Sequence, residues 1–157
     1  MTGFSITSAG ATAEGDPAVA VGEIQLGEYR ESFHAVIEFW GTQDYEVSWT
    51  ATLRRLLAGG AASCLVASLT DPRDATFVTT WPLYRDREEV FVQNRLLFLD
   101  ELPAPFEPGV PWESVDPRTI VDEEGRPISE WHVTLKDIED FLDSRTAPTW
   151  KDLYRTL

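Results

Sequence analysis

The chain has 157 residues, of which 43 % are hydrophobic and 11 % aromatic, so it is long enough to bury a hydrophobic core within one domain. Its 27 acidic and 13 basic residues give a net charge of −14, and such a field repels nucleic-acid phosphates and anionic lipid headgroups while it attracts cationic proteins. The single cysteine, Cys64, excludes an internal disulfide and a thiolate metal cluster and predicts a reduced, intracellular protein.

The start of the sequence carries no recognisable export signal. The first basic residue is Arg30, and no apolar run approaches the roughly 18 residues that span a bilayer, so we expect a cytoplasmic protein. Residues 1–20 are rich in Gly, Ala, Ser and Thr without apolar periodicity, which predicts a flexible arm. Residues 21–157 are then expected to form a single domain.

The first half of that domain shows two strand patterns, a helix pattern and a third strand. Residues 21–26 and 32–40 are predicted strands, the second because Phe33, Ala35, Ile37 and Phe39 alternate with polar residues. Residues 44–57 place large apolar side chains at helical spacing, with Asp44 predicted as the N-cap and Gly59-Gly60 as the stop. Residues 62–69 are apolar on both faces, which predicts a central strand covered on both sides.

The second half predicts a hairpin, a long loop, two short strands and a final helix. Residues 76–84 and 89–99 form the hairpin, and five prolines mark residues 100–118 as an ordered loop. Strands at 119–121 and 128–133 flank the acidic turn 122–125, and Thr134 with Asp137 forms a capping box for the last helix, followed by a short tail from Ala147. The fold class that follows is α+β, with a single mostly antiparallel sheet of about five to seven strands and two helices. Its core is predicted from eight side chains: Phe33, Ile37, Phe39, Trp49, Leu53, Leu65, Trp81 and Val92.

A search for catalytic chemistry finds no supported pattern. His34 and His132 both fall on the polar sides of their strands, where surface positions are expected. The sequence has no zinc spacing, no Gly-x-Ser-x-Gly elbow and no glycine-rich phosphate loop. The run Asp122-Glu123-Glu124 lacks the spaced oxygens of a calcium loop, so a solvated turn is the better interpretation. We therefore expect a binding protein rather than an enzyme, with no cofactor and no metal.

Several stretches, taken in order, resemble the immunity proteins of bacterial contact-dependent growth inhibition and related polymorphic toxin systems. The resemblance covers roughly residues 33–143 and is most specific in Val92-Gln93-Asn94 and Ile128-Ser129-Glu130-Trp131. The other stretches that carry it are Phe39-Trp40 with Tyr45-x-x-x-Trp49, Cys64-Leu65-Val66 leading to Asp71-Pro72, Trp81-Pro82-Leu83-Tyr84, Leu96-Leu97-Phe98 and Gly125-Arg126-Pro127. The resemblance implies a single-domain cytoplasmic protein that binds and blocks the toxic domain of a cognate toxin, often a nuclease, and it assigns no catalytic residues.

Charge predicts where such a partner would bind. Residues 86–143 hold 16 acidic and 5 basic residues, and binding groups tend to lie in loops. A nuclease needs a basic surface for its substrate, so a cationic toxin domain would be steered toward these carboxylates. The predicted partner-binding residues are the loop residues Glu107 and Glu113, the loop aromatic Trp112, and the turn residues Asp122, Glu123 and Glu124.

Two alternatives stay open at this point. An acidic secretion chaperone would have a similar size and fold class, but it would normally dimerise and expose an apolar groove. A nucleic-acid mimic that blocks a nucleic-acid-binding protein would need evenly spaced carboxylates along an elongated face. The expected state for an immunity protein is a monomer, with a cationic protein as partner and neither nucleic acid nor membrane bound.

Overall fold

A computed structural model describes residues 3–12 and 17–155, and it describes the side chains of residues 3–8 and 17–145. These residues form two antiparallel β-sheets and two α-helices. The first sheet has the order β1-β2-β3, with strands Phe4–Thr12, Val19–Leu26 and Tyr29–Val36. The second has the order β4-β5-β6-β8, with strands Ala62–Ser68, Phe77–Asp86, Glu89–Gln93 and Glu130–Thr134, while β7 (Arg95–Phe98) pairs with β5. The α+β class and the antiparallel pairing are confirmed, but the single sheet predicted from the sequence is wrong.

The first sheet includes part of the segment 1–20 that was predicted as a flexible arm. Phe4–Thr12 form β1, which pairs with β2 along most of its length. Phe4 and Ile6 are buried on the core face, whereas the polar residues Ser5 and Thr7 face outward. The alternation is only two apolar residues long, which is too short to predict a strand from sequence. The last residues of the arm, Val19 and Ala20, already belong to β2.

The central hairpin of the second sheet is interrupted by a proline. β5 and β6 pair through a tight turn in which Arg87 has a φ of 58°. One register relates β5 to both β6 and β7, so Pro82 lies opposite Gln93. Because proline has no N–H, Pro82 cannot donate to that neighbour, and the predicted strand 89–99 divides into β6 and β7 at Asn94.

Helix α1 (Thr42–Leu57) covers one edge of β4 with side-chain hydrogen bonds. The Trp49 Nε1–H donates to the Val66 carbonyl at 2.8 Å, and the Thr52 hydroxyl donates to the Cys64 carbonyl at 2.7 Å. These carbonyls point away from β5, as expected for alternate residues of an edge strand. β4 is therefore buried on both faces, as predicted, but it is an edge strand of the sheet and not a central one.

The helix ends follow capping chemistry. Gly41 is the N-cap of α1, and its N–H donates to Asp44 Oδ2 at 2.9 Å, so Asp44 lies at the third helical position rather than at the predicted N-cap. Gly59 has a φ of 115° just after the helix, which confirms the glycine stop. Helix α2 (Leu135–Arg155) begins at the predicted capping box, with Thr134 and Asp137 exchanging hydrogen bonds of 3.0 and 3.1 Å.

The predictions for the C-terminal tail and for the strand 32–40 are corrected by the structure. The predicted tail from Ala147 continues α2 to Arg155, and the side chains of this part lie outside the described ones. The predicted strand 32–40 ends at Val36, so Phe39 lies in a bend and is 42 % exposed rather than in the core. Phe33 and Ile37 are half-buried against the core, and the other five predicted core residues are buried.

Candidate functional site

A groove runs along the outer edge of β7, and we call it the β7 groove. One wall is the strand itself, and the other is the end of the long loop together with the acidic turn. Its lining residues are Arg95, Leu96, Leu97, Phe98, Glu101, Leu102, Asp116, Pro117, Thr119, Val121, Asp122, Glu123 and Glu124. Five of them are acidic and one is basic, so the groove concentrates the negative charge of the chain.

The groove is open because β8 does not continue along β7. β8 pairs with β6 from Thr134 back to Glu130, opposite Gln93. The residues before it, 120–128, instead fold into a small hairpin in which the Ile128 N–H donates to the Ile120 carbonyl at 2.9 Å. Val121 and Pro127 form a single bridge there, which is all that remains of the predicted strand 119–121. This hairpin turns the chain away from β7 and leaves a gap beside it.

The tip of the hairpin is held by its own side chains. Asp122 accepts hydrogen bonds from the backbone N–H groups of Glu124 and Arg126, at 2.9 and 2.8 Å. The Arg126 guanidinium pairs with Glu124 at 2.6 Å and approaches Asp122 at 3.5 Å. Gly125 has a φ of 78°, which suits glycine at this corner. Asp122 and Glu124 therefore fix the turn, whereas Glu123 is exposed and carries its charge free of any such contact.

The β7 wall of the groove carries exposed apolar side chains. Leu96 is 49 % exposed and Phe98 is 40 % exposed, although both belong to a strand. The Phe98 ring contacts the exposed Phe77 ring edge-on, with 6.1 Å between centroids. Exposed aliphatic and aromatic groups beside carboxylates are the composition expected of a protein-binding surface.

An ion pair between Arg118 and Glu130 lies at the start of β8, where the groove begins. Arg118 donates two hydrogen bonds to Glu130, at 2.8 and 2.6 Å, and its guanidinium lies over the Phe91 ring at 4.1 Å. The Gln93 amide donates to the same carboxylate at 2.8 Å. These donors hold the pKa of Glu130 below its usual range, the Arg118 hydrogen bond being the main cause. The network fixes the point at which β8 leaves the edge of the sheet.

The structure brings only part of the predicted partner-binding set together. Asp122, Glu123 and Glu124 line the β7 groove. Glu107 and Glu113 are exposed around a neighbouring groove of the long loop, which shares Leu102 with the first. Trp112 is half-buried in the single-turn 3-10 helix Pro111–Ser114, where Arg55 of α1 lies over its ring at 5.1 Å, and it lines a third groove against α1.

Apart from Asp122, Glu123 and Glu124, sequence reasoning missed the residues that line the β7 groove, including two exposed apolar residues, Leu96 and Phe98, and two acidic residues, Glu101 and Asp116. The two apolar residues lie within the run Arg95-Leu96-Leu97-Phe98, which gives no alternation to mark an exposed face. The two acidic residues stand in the Pro-rich loop and could have been found by the same charge argument that selected Glu107 and Glu113. Their proximity to the turn depends on pairings that are distant in sequence.

The remaining candidates lie on the outer surface. His34 is exposed, and His132 is exposed with its Nε2 at 2.7 Å from Glu89 Oε2. Among the described side chains, those of residues 3–8 and 17–145, no group of three or more His, Cys, Asp and Glu residues is placed to hold a metal ion. Neither of the helices in this described part has the length and apolar character needed to cross a membrane.

Comparison with known proteins gives three concordant matches. The family model described as the CdiI N-terminal domain matches residues 35–141. The immunity protein CdiI of Enterobacter cloacae subsp. cloacae is 34 % identical in an alignment of 141 residues that covers 86 % of this chain and 97 % of that protein. A solved CdiA-CT/CdiI toxin and immunity complex from Enterobacter cloacae contains a chain of 34 % identity and TM-score 0.81, with 90 % of this chain and 97 % of that chain covered.

Proposed function

The chain belongs to the CdiI family of immunity proteins, and we propose that it binds and neutralises the toxic C-terminal domain of its own cognate CdiA-type toxin. The match to a CdiI-type immunity protein agrees with the resemblance stated from the sequence. The observation that carries the proposal is the structural similarity to a chain solved in complex with its toxin. The family model spans residues 35–141, which include all the residues that line the β7 groove.

We further propose that the toxin domain is cationic and acts as a nuclease. The support is the charge of this chain, which is −14 overall and concentrated in residues 86–143. A nuclease must hold a polyanionic backbone with Lys and Arg, and an inhibitor that presents carboxylates to those side chains blocks the substrate directly. Opposite charge also speeds association, which matters because the toxin must be captured before it acts.

The proposed contact surface is the β7 groove with its rim. Glu101, Asp116 and Glu123 offer carboxylates with no ion pair in the described structure, while Asp122 and Glu124 shape the turn that presents them. Glu107 and Glu113 extend the acidic surface along the loop, and Trp112 is proposed as an aromatic anchor at its far end. The chain then acts as a cytoplasmic monomer that works by binding and not by catalysis. Neither a chaperone nor a nucleic-acid mimic has a specific observation in its favour.

The experiment is a kinetic comparison of a charge-neutralised groove with a matched control. The test variant combines Glu101→Gln, Asp116→Asn and Glu123→Gln, which removes three free carboxylates and leaves the Asp122 turn intact. Association with the toxin domain of the cognate CdiA-type protein is measured by stopped-flow fluorescence at several salt concentrations. Rim charges act mainly on association, so we expect a rate about tenfold slower at low salt, with the difference shrinking as salt rises.

The control removes the same number of charges from elsewhere on the surface. Glu28→Gln, Glu38→Gln and Glu88→Gln are suitable because these side chains are exposed and do not line the groove. If both triple variants slow association equally, net charge alone is responsible and the groove is not the contact surface. If the toxin binds wild type with no dependence on salt, the electrostatic part of the proposal is wrong.

A further inference from the structure

The second sheet has an edge that is only half covered. β6 and β7 follow one another along the same side of β5, in one continuous register. β8 pairs with β6 and stops opposite Gln93, so the edge beyond that point belongs to β7 alone. Within the described residues, β7 pairs with β5 and with no strand on its other side. A strand edge of this kind presents unpaired backbone donors and acceptors.

The register identifies which backbone groups face the groove. The Leu99 N–H donates to the Thr76 carbonyl at 3.0 Å, so residue 99 points toward β5. Along an antiparallel pair, the N–H and C=O groups of alternate residues point toward the partner strand. The backbone groups of Leu97 and Arg95 therefore also point toward β5. Leu96 and Phe98 lie between them, and their N–H and C=O groups point outward into the β7 groove. These outward N–H and C=O groups have the spacing that pairing with a further strand requires.

The side chains around these groups define what could lie there. Leu96 and Phe98 are exposed, whereas Leu97 packs against the core on the opposite face. The carboxylates of Glu101, Asp116 and Glu123 also line the groove. An extended segment placed along β7 would lay alternate apolar side chains over Leu96 and Phe98. Its basic side chains would meet these carboxylates.

We infer that a short extended segment of the toxin domain, carrying apolar residues and Lys or Arg, pairs antiparallel or parallel with β7 and adds a strand to the second sheet. This inference rests on the proposed function, since it assigns the part of the toxin that the groove receives. Strand addition derives affinity from main-chain hydrogen bonds and specificity from the flanking side chains. β7 has four residues, so the added strand is short and the groove walls supply the remaining contacts.

Amide hydrogen exchange tests the pairing directly. The amides of Leu96 and Phe98 face the groove, so we expect them to exchange fast in the free protein, whereas pairing with β5 is expected to protect those of Leu97 and Leu99. Adding the cognate toxin domain is expected to slow exchange at Leu96 and Phe98 by about 100-fold or more. If the toxin binds while both amides still exchange fast, the strand pairing is wrong and the proposed function stands. If no toxin binds, the proposed function itself fails.

A pair of variants separates the backbone contribution from the side chain. Leu96→Pro removes an N–H that faces the groove and is tolerated at an edge position, while Leu96→Ala trims the side chain and keeps the N–H. With both variants folded by circular dichroism, we expect Leu96→Pro to weaken toxin binding about tenfold more than Leu96→Ala. Equal losses in the two variants would mean that only side chains make contact. Protection of Leu96 and Phe98 that rises with protein concentration, without toxin, would identify a second copy of this chain as the occupant and overturn the proposal.

Discussion

Replacing Trp49 tests how α1 is attached to the second sheet. The side chain is 3 % exposed, and its indole N–H donates to the Val66 carbonyl at 2.8 Å. The ring contacts Phe33 edge-on at 6.1 Å and lies 6.2 Å from the Tyr45 ring. Trp49 therefore contributes both buried apolar area and the hydrogen-bond donor to the Val66 carbonyl at the edge of β4.

The magnitude follows from these two contributions. Truncation of a buried tryptophan to alanine costs about 3–5 kcal/mol of unfolding free energy. Leaving the Val66 carbonyl without a donor adds about 1–3 kcal/mol, for a total of about 4–8 kcal/mol. A domain of this size is stable by about 5–15 kcal/mol, so Trp49→Ala is expected to lose a large part of its stability and to unfold at a much lower urea concentration than wild type. Trp49→Phe keeps an aromatic ring and loses the donor, so a smaller cost of about 1–3 kcal/mol is expected.

The assay is urea unfolding followed by far-ultraviolet circular dichroism, which does not depend on the tryptophan that is removed. Thr52→Val is the matched variant, since it keeps the side-chain shape and removes the donor to the Cys64 carbonyl. We expect it to lose about 1–3 kcal/mol, like Trp49→Phe. A Trp49→Ala protein within about 1 kcal/mol of wild type would refute the reasoning, because α1 would then not be packed on β4 through this side chain.

Three further predictions concern packing, pH and the loop. Gly22→Ala should lower the unfolding free energy by about 1–3 kcal/mol, measured by urea unfolding, because the added methyl would lie 2.4 Å from the Phe33 ring. Burial raises the pKa of the Cys64 thiol and of the Tyr84 phenol to about 12 each, from ordinary values of 9.0 and 10.0. The unfolded chain ionises first, so the melting temperature should hold below pH 9 and fall between pH 9 and 12, and a flat alkaline profile would contradict that. Trp112→Ala should weaken toxin binding by about 1–3 kcal/mol in calorimetry if the ring is an anchor, and should leave the affinity unchanged if its role is to pack under Arg55.

Elements with local chemistry could be predicted from the sequence. Helix α1 follows from Tyr45, Trp49 and Leu53 at helical spacing, and all three are buried. The start of α2 follows from the Thr134 and Asp137 capping box, which forms as expected. Such signals depend on residues within one or two turns of each other, so they do not require knowledge of the tertiary fold.

Pairings between distant segments could not be predicted in the same way. The apolar residues of β4 indicate burial on both faces, but a central strand and an edge strand covered by a helix have the same pattern. Trp49 and Thr52 decide between them, because they occupy the edge carbonyls of β4. The division into two sheets likewise depends on partners, since nothing local in β1 or β4 shows which strand lies beside it.

The candidate site could likewise be predicted only in part from the sequence. The charge of residues 86–143 indicated an acidic surface, and the turn at Asp122 does line the groove found in the structure. The groove itself arises because β8 stops opposite Gln93 and the chain folds back on itself, which no short motif encodes. Glu101 and Leu96 join the site only through that topology.

The central claim is that this chain neutralises a toxin domain by binding it. The most direct measurement titrates the purified chain into the toxin domain of its cognate CdiA-type protein and follows the nuclease activity that we propose for that domain. We expect activity to fall linearly and to vanish at one equivalent of the chain, as for tight one-to-one binding. Toxin activity that persists at a several-fold excess of the folded chain would contradict the claim.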